Sequence, residues 1–371
     1  MARIFFNDLQ TQSVRHKKEL LKGFSRVLSR GVFLHGKEEE ILTQKFRHVF
    51  KRNALLVGSG HDALTLSLRA LHLHTTDEVI VPVNAYPTAF AVEEAKAKLI
   101  FADVTENGQL SVETIEAVRT QKTKVVILVH LYGLTSDVMA ISKYCKKHRL
   151  ILIEDCAQAY GTKIQKNLVG TIGDIGCFSF YPTKNLGSLG DGGLVITKDK
   201  RIHETIRHLA SYGEKRRYES YTVSGHSRLP ELQAAGLRVY VSKFQKDAQK
   251  RRQVALWYTN EIATRNLNRY VRVLISHTNS VPIHHLFVVA VQKRPQLQLY
   301  LHKKNIPTHI HYPLPTHKAQ AFKHVKHKTH AFPVAMKLAK EIISLPYHPS
   351  LTRMHVIRVV ETIHTFYETH K

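Results

Sequence analysis

The stretch Ile151-Leu152-Ile153-Glu154-Asp155-Cys156-Ala157-Gln158, followed by Gly176-Cys177-Phe178-Ser179-Phe180-Tyr181-Pro182-Thr183-Lys184-Asn185-Leu186-Gly187, decides how this chain is read. Each segment opens on an apolar run of strand length and breaks off at polar residues, as strands of an open α/β sheet do where ligands bind. Asp155 closes the first run, and Lys184 lies 29 residues later, just past the second. Alone, a strand-end aspartate reads as a cap or ion-pair partner, and a lone lysine as a surface group. Together they fit one chemistry. An amine shielded from water loses its proton more readily and becomes nucleophilic, while a carboxylate leaving a dry strand needs an N–H partner. Pyridoxal phosphate requires that pair: an amine that condenses with its aldehyde, and an acid that keeps its ring nitrogen protonated so that the ring draws electrons.

Outward from this core, short β-branched runs at 54–57, 78–81, 99–101, 124–130, 150–153, 176–180 and 193–197 alternate with amphipathic stretches at 63–71, 88–96, 112–119 and 138–147. That alternation predicts an α/β fold with a mostly parallel, seven-stranded sheet. A long helix is expected from 231 to about 265, then a strand over 280–291 and helices over 294–304, 333–343 and 355–369. A chain of 371 residues exceeds what one core usually supports. We therefore divide it into a large α/β cofactor-binding domain, 1–240, and a smaller α+β domain, 241–371.

Gly58-Ser59-Gly60-His61-Asp62-Ala63-Leu64 follows a strand and opens a helix, which aims backbone N–H groups at an anion. The same letters fit a dinucleotide fingerprint, but that motif needs a carboxylate at the end of the next strand. Here that strand runs into Pro82-Val83-Asn84, so a nicotinamide enzyme is not expected and a phosphate group is. Ser179 is placed to donate to the same phosphate.

Composition excludes several classes. With 43% hydrophobic and 23% charged residues the chain is globular, and its apolar runs are too short for a membrane helix. The N-terminus lacks the pattern of a signal peptide, which points to the cytoplasm. Cys145, Cys156 and Cys177 form no Cys-x-x-Cys pair and suggest neither a disulfide framework nor a cysteine metal site. His309-x-His311 and His324-x-x-His327-x-x-His330 have no neighbouring carboxylate, so no metal is assigned. The formal charge is +26, and residues 241–371 hold 21 Lys and Arg against 5 Asp and Glu. A basic regulator that binds nucleic acid is the reading from a different class; no aromatic-interleaved basic run or recognition-helix pattern supports it.

With these residues assembled, the chain resembles the sugar aminotransferases of the DegT/DnrJ/EryC1/StrS family, from Phe6-Asn7-Asp8-Leu9 to about Leu351. The matching stretches are Ser59 to Leu64, Val129-His130-Leu131-Tyr132-Gly133, Glu154 to Ala159, Phe178 to Gly193, Ser227 to Ala235 and His311-Tyr312-Pro313. The resemblance implies the fold-type-I architecture of aspartate aminotransferase and a homodimer with shared sites. It implies transfer of the amino group of L-glutamate to a keto group of a nucleotide-linked hexose, for surface polysaccharide such as O-antigen or another glycoconjugate. It also implies the roles. Lys184 forms the Schiff base and shuttles the proton; Asp155 holds the ring nitrogen; Gln158 meets the phenolic oxygen; Tyr86 stacks on the ring. Ser179 and the Gly60 and His61 amides hold the phosphate, with His226 reaching it from the partner subunit. Tyr181, Asn185, His311 and Tyr312 face the sugar. His61 stands where the family usually has threonine, and His226 where it usually has asparagine. Lys184, rather than histidine, sets the chain apart from the dehydratases of the family; a dehydratase or other lyase is the alternative. The run Phe180 to Gly193 is similar to members aminating C3 of 3-keto-6-deoxy sugars, where those acting at C4 usually carry His-x-x-Lys and Gly-Glu-Gly-Gly.

Overall fold

The computed structural model describes residues 3–327 and 331–370. Its centre is a seven-stranded sheet of β1 (Asn53–Val57), β2 (Glu78–Pro82), β3 (Lys98–Ala102), β4 (Thr123–Val129), β5 (Ile151–Asp155), β6 (Ile175–Ser179) and β7 (Gly193–Thr197), in the order β1-β7-β6-β5-β4-β2-β3. Only β7 runs against its neighbours; the other pairings within β2 to β6 are parallel. Parallel strands covered on both faces must be apolar throughout. β4 does this by alternation: Val125, Ile127 and Val129 enter one core, and Val126 and Leu128 the core on the opposite face.

Of the helices that close these cores, two precede the first strand and the others follow strand ends. α1 (Lys17–Arg30), α2 (Lys37–Phe50), α3 (Gly60–Arg69), α4 (Tyr86–Glu94) and α5 (Val138–Lys147) belong to the first half of the chain. α1 and α2 carry no expectation from the sequence reading, although Leu42, Phe46 and Phe50 recur at helical spacing and are buried. The backbone amides of Glu38 and Glu39, at the start of α2, donate to the Glu231 carboxylate at 3.0 and 2.7 Å. A distant side chain thus satisfies the orphan donors that every helix start presents.

Glu231 also begins the 34-residue helix α6 (Glu231–Thr264). Ala234, Leu237, Tyr240, Phe244 and Ala248 of α6 lie in a core beneath the sheet, whereas Val254, Tyr258 and Ile262 lie in a third core. The sequence-based division at 240/241 therefore falls inside one continuous helix, with Phe244 and Ala248 still packed on the sheet side. Beyond it, β8 (Val271–Val273), β9 (Phe287–Val291) and β10 (Ile342–Leu345) form a small antiparallel sheet, ordered β8-β9-β10. α7 (Arg294–Lys303), α8 (Pro333–Glu341) and α9 (Arg353–Thr369) accompany it.

Two expectations are corrected here. The run 280–291 is not one strand: Ser280–Val281 joins a small ribbon, and β9 starts only at Phe287. The helix predicted over 333–343 stops at Glu341, because Ile342 to Leu345 pair with β9 as β10. A short run with three apolar residues and one serine, Ile342-Ile343-Ser344-Leu345, suits either element, and only the pairing partner decides. Among the described residues, no helix is long and apolar enough to cross a membrane.

Candidate active site

The C-terminal ends of β2, β4, β5 and β6 open into one cavity, lined by Gly60, His61, Thr88, Leu131, Asp155, Gln158, Ser179, Lys184 and Tyr312 among others. Seven of the residues singled out from the sequence are therefore brought together: Gly60, His61, Asp155, Gln158, Ser179, Lys184 and Tyr312.

Asp155 ends β5, buried, and its carboxylate is held from two sides. Thr88 Oγ1 donates to Oδ2 at 2.8 Å, and the Ala157 amide donates to Oδ1 at 3.0 Å. Thr88, in the first turn of α4, was not anticipated. Its signal is its place just past the C-terminal edge of β2, where open sheets bind ligands. Burial pushes the Lys184 ammonium below its ordinary value of 10.5, and the Asp155 charge opposes that shift. Desolvation wins, which moves the amine toward its neutral, nucleophilic form.

The phosphate-sized end is built from backbone. Ser59 caps α3 by accepting from the Asp62 amide at 3.0 Å, which leaves the first turn open toward Ser179. A Cβ on Gly60 would lie 2.5 Å from the Ser179 Cβ and 3.1 Å from its Oγ, so only glycine permits this approach. The His61 ring turns away along α3 to Glu94, 2.5 Å from Oε2. The imidazole is thus engaged by Glu94, while Gly60 at the start of α3 lines the cavity beside Ser179.

Tyr132 ties the cavity to the C-terminal half. It sits at φ +64°, a conformation rare for a bulky residue. Its amide donates to Gln158 Oε1 at 2.6 Å, its carbonyl accepts from the His285 amide at 2.7 Å, and its phenol donates to the His311 carbonyl. Tyr312, next in sequence, completes the cavity wall. Gly133 follows at φ +80° against the His285 amide, leaving no room for a side chain.

The other predicted residues lie outside the cavity. Tyr86 is partly exposed beside it, its ring 5.1 Å from Phe90 and 6.1 Å from Tyr312. Tyr181 is half-exposed and donates its amide to Ser179 Oγ at 3.3 Å. Asn185 is buried, and its side-chain amide donates to the Tyr160 carbonyl at 2.5 Å. His311 bonds Ser344 Oγ at 2.9 Å, and burial, with His309 and Lys184 nearby, pushes its imidazole down to about 4. His226 is exposed, its ring 5.3 Å from that of Tyr212.

Among the described residues, His130, Glu154 and Cys156 have their donor atoms close enough to hold a metal. The Glu154 oxygens are already occupied: they accept from His130 Nε2 at 2.9 Å and from the amides of Gly170, Ile172 and Gly173 at 2.7–2.8 Å. This buried cluster fastens the 170–173 loop beneath β5. His324 meets Glu93 Oε1 at 3.2 Å, and His330 lies outside the described residues.

Residues 14–364 match the DegT/DnrJ/EryC1/StrS aminotransferase family. The chain is 37% identical over 365 residues to the dTDP-3-amino-3,6-dideoxy-alpha-D-galactopyranose transaminase of Aneurinibacillus thermoaerophilus, covering 97% of this chain and 99% of that protein. It is 36% identical to the UDP-N-acetyl-3-dehydro-alpha-D-glucosamine 3-aminotransferase of Acidithiobacillus ferrooxidans, over 96% of each. The crystal structure of S. venezuelae DesV in complex with a ketimine intermediate superposes with a TM-score of 0.95 at 32% identity, covering 99% of both chains. The chain thus belongs to the DegT/DnrJ/EryC1/StrS aminotransferase family.

Proposed function

We propose that this protein is a pyridoxal-phosphate-dependent aminotransferase that moves the amino group of L-glutamate to C3 of a nucleotide-linked 6-deoxy-3-keto-hexose. The observation that carries this reading is the convergence of Lys184, Asp155, Gln158, Ser179 and Gly60 on one cavity. The names of the two relatives above, both 3-amino-sugar enzymes, favour C3.

The residues present fit the cofactor. The absence of a Cβ at Gly60 lets the start of α3 lie against Ser179, so that its amides and the Ser179 hydroxyl share one end of the cavity. Asp155 is buried with two neutral donors and, among the described residues, no cation bonded to it, which suits a partner bearing a charged N–H. When bound, pyridoxal phosphate supplies the aldehyde that exchanges amines and a ring that accepts the electron pair left when a proton leaves carbon. Asp155 would hold the ring nitrogen, and Gln158 the phenolic oxygen. Ser179 and the Gly60 and His61 amides would hold the phosphate, and Tyr86 would flank the ring. Lys184, whose charged form burial disfavours, would take the proton from the amino-bearing carbon of the donor and return it on the opposite side of the transfer. Tyr312 would face the sugar with Tyr181 at the rim, and Asn185 and His311 would act from behind through Tyr160 and Tyr132.

We further propose a homodimer in which His226 reaches the partner's phosphate end. Exposed apolar residues along α1 and the turn after it, Leu21, Leu28, Phe33 and Leu34, support this arrangement. Light scattering on the eluted protein measures the mass directly, and a monomer at working concentration overturns it.

The functional test needs no sugar. The absorbance of the purified protein with added pyridoxal phosphate is recorded before and after L-glutamate. The expected result is a cofactor band that glutamate converts to the amino form of the cofactor, absent in Lys184→Ala. A bound cofactor that glutamate leaves unchanged overturns the assignment. Product analysis with a 3-keto and a 4-keto sugar nucleotide then separates C3 from C4.

A further inference from the structure

The positive charge that the cavity does not use is concentrated elsewhere, in a concavity of about 730 Å³ in the C-terminal half. None of its lining residues lines the active-site cavity. Six cations surround it: Arg269 and Arg272 at the edge strand β8, Lys293 and Arg294 at the start of α7, and Lys337 and Lys340 on α8. One carboxylate, Glu341, lines it with them.

Pairing leaves much of this charge uncompensated. Arg272 and Lys337 share one carboxylate, Glu106, at 3.4 and 3.5 Å. Arg294 Nε donates to the Lys340 carbonyl at 2.6 Å, and Lys293 Nζ to the His370 carbonyl at 2.5 Å; both acceptors are neutral. Arg269 lies over the Tyr270 ring at 4.7 Å. Among the described residues, Arg269, Lys293, Arg294 and Lys340 have no carboxylate partner. α7 adds to the same sign, since its first turn carries no acidic residue and no side-chain cap.

Like charges held around a concave surface repel, and a multivalent anion relieves that repulsion with no rearrangement. Arginine forks bind phosphoryl oxygens in pairs and lysines add point charges, and a row of phosphates brings more negative charge into a small concavity than single carboxylates do. The floor also argues against a nucleobase or single strand. One face of Tyr270 is covered by Tyr367, stacked at 4.5 Å and 6°, and Arg269 packs against the ring as well, so no aromatic platform is open. We propose that this groove is a binding site for a small oligophosphate, the shared chemistry of inorganic polyphosphate and the phosphate tail of a free nucleoside triphosphate, separate from the active site.

The test is calorimetric titration of sodium triphosphate into the full-length protein preincubated with excess pyridoxal phosphate, which occupies the cavity's own anion end. At about 0.15 M salt, where exposed long-range attraction is screened, saturable binding near one equivalent per chain is expected. The double variant Arg269→Glu/Lys340→Glu should weaken it by on the order of tenfold or more, with its melting temperature unchanged because both side chains are exposed. Lys303→Glu, at the far end of α7, should bind as the wild type does. A nucleoside triphosphate arm distinguishes the sources: equal affinity assigns recognition to the phosphates, and tighter binding of the nucleotide assigns the site to the nucleotide pool. Undiminished binding by the double variant, non-saturable binding, or binding of a duplex oligonucleotide but not triphosphate overturns the proposal.

Discussion

Thr88 and Asp155 are joined by a 2.8 Å hydrogen bond between two buried side chains 67 residues apart in sequence. The bond links the first turn of α4 to the end of β5 and gives the carboxylate one of its two donors. Replacing Thr88 with Val keeps the shape and removes the donor. A buried acceptor that loses a partner costs about 1–3 kcal/mol. Cofactor-free Thr88→Val should therefore unfold at lower denaturant with an unchanged slope, and its dissociation constant for pyridoxal phosphate should rise by about tenfold. Equilibrium unfolding and cofactor titration check both, and wild-type values in each would remove Thr88 from the site.

Lys184 gives a pH-dependent prediction whose sign follows from its burial. The folded state holds its amine below the ordinary 10.5, whereas the unfolded chain protonates it normally. Below 10.5 the folded form resists a proton that the unfolded form takes, so the residue weakens folding at neutral pH. The penalty fades as pH rises toward 10.5. Lys184→Met without cofactor should melt above the wild type at pH 7, and the gap should close in alkaline buffer. The same variant should retain no cofactor after borohydride reduction, because the amine that would be trapped is gone.

The α/β core was legible because its strands are apolar on both faces, a pattern strong enough to locate all seven. Asp155, Ser179 and Lys184 were legible because they interrupt that pattern at strand ends. Thr88 and Tyr132 were not: each works through a bond to a residue distant in sequence, and apart from the place of Thr88 just past the end of β2 nothing in their local context distinguishes them from core residues. β10 was hidden for the same reason, since Ile342 to Leu345 become a strand only because β9 offers an edge. Asn185 shows the opposite limit. Its place beside Lys184 suggests contact with substrate, but the turn carries its amide back to the Tyr160 carbonyl.

The cradle between α3 and β6 predicts a selective defect. Gly60→Ala places a methyl 2.5 Å from the Ser179 Cβ, and Ser179 is fixed at the end of β6. Overpacking of this kind costs about 1–3 kcal/mol, and here it would push apart the start of α3 and Ser179, the two groups proposed to hold the phosphate. Binding of pyridoxal phosphate should fall by about tenfold or more, while pyridoxal, which lacks the phosphate, should lose little. Equal losses for both ligands would place the phosphate elsewhere.

Tyr132 carries the last prediction, because its three bonds separate by chemistry. The amide and carbonyl bonds to Gln158 and His285 belong to the backbone and survive substitution; only the phenol bond to the His311 carbonyl depends on the side chain. Tyr132→Phe should thus keep the elbow and Gln158 in place while freeing the His311–Tyr312 segment. Stability should fall by only about 1 kcal/mol, the net value of one hydrogen bond. Amide hydrogen exchange should rise over residues 309–316 and stay at wild-type rates at 158 and 285, with or without cofactor. If Tyr132 acts on turnover through Tyr312, the double variant Tyr132→Phe/Tyr312→Phe should lose no more activity than Tyr312→Phe alone. Additive losses, or unchanged exchange across 309–316, would mean that the phenol only fills the core.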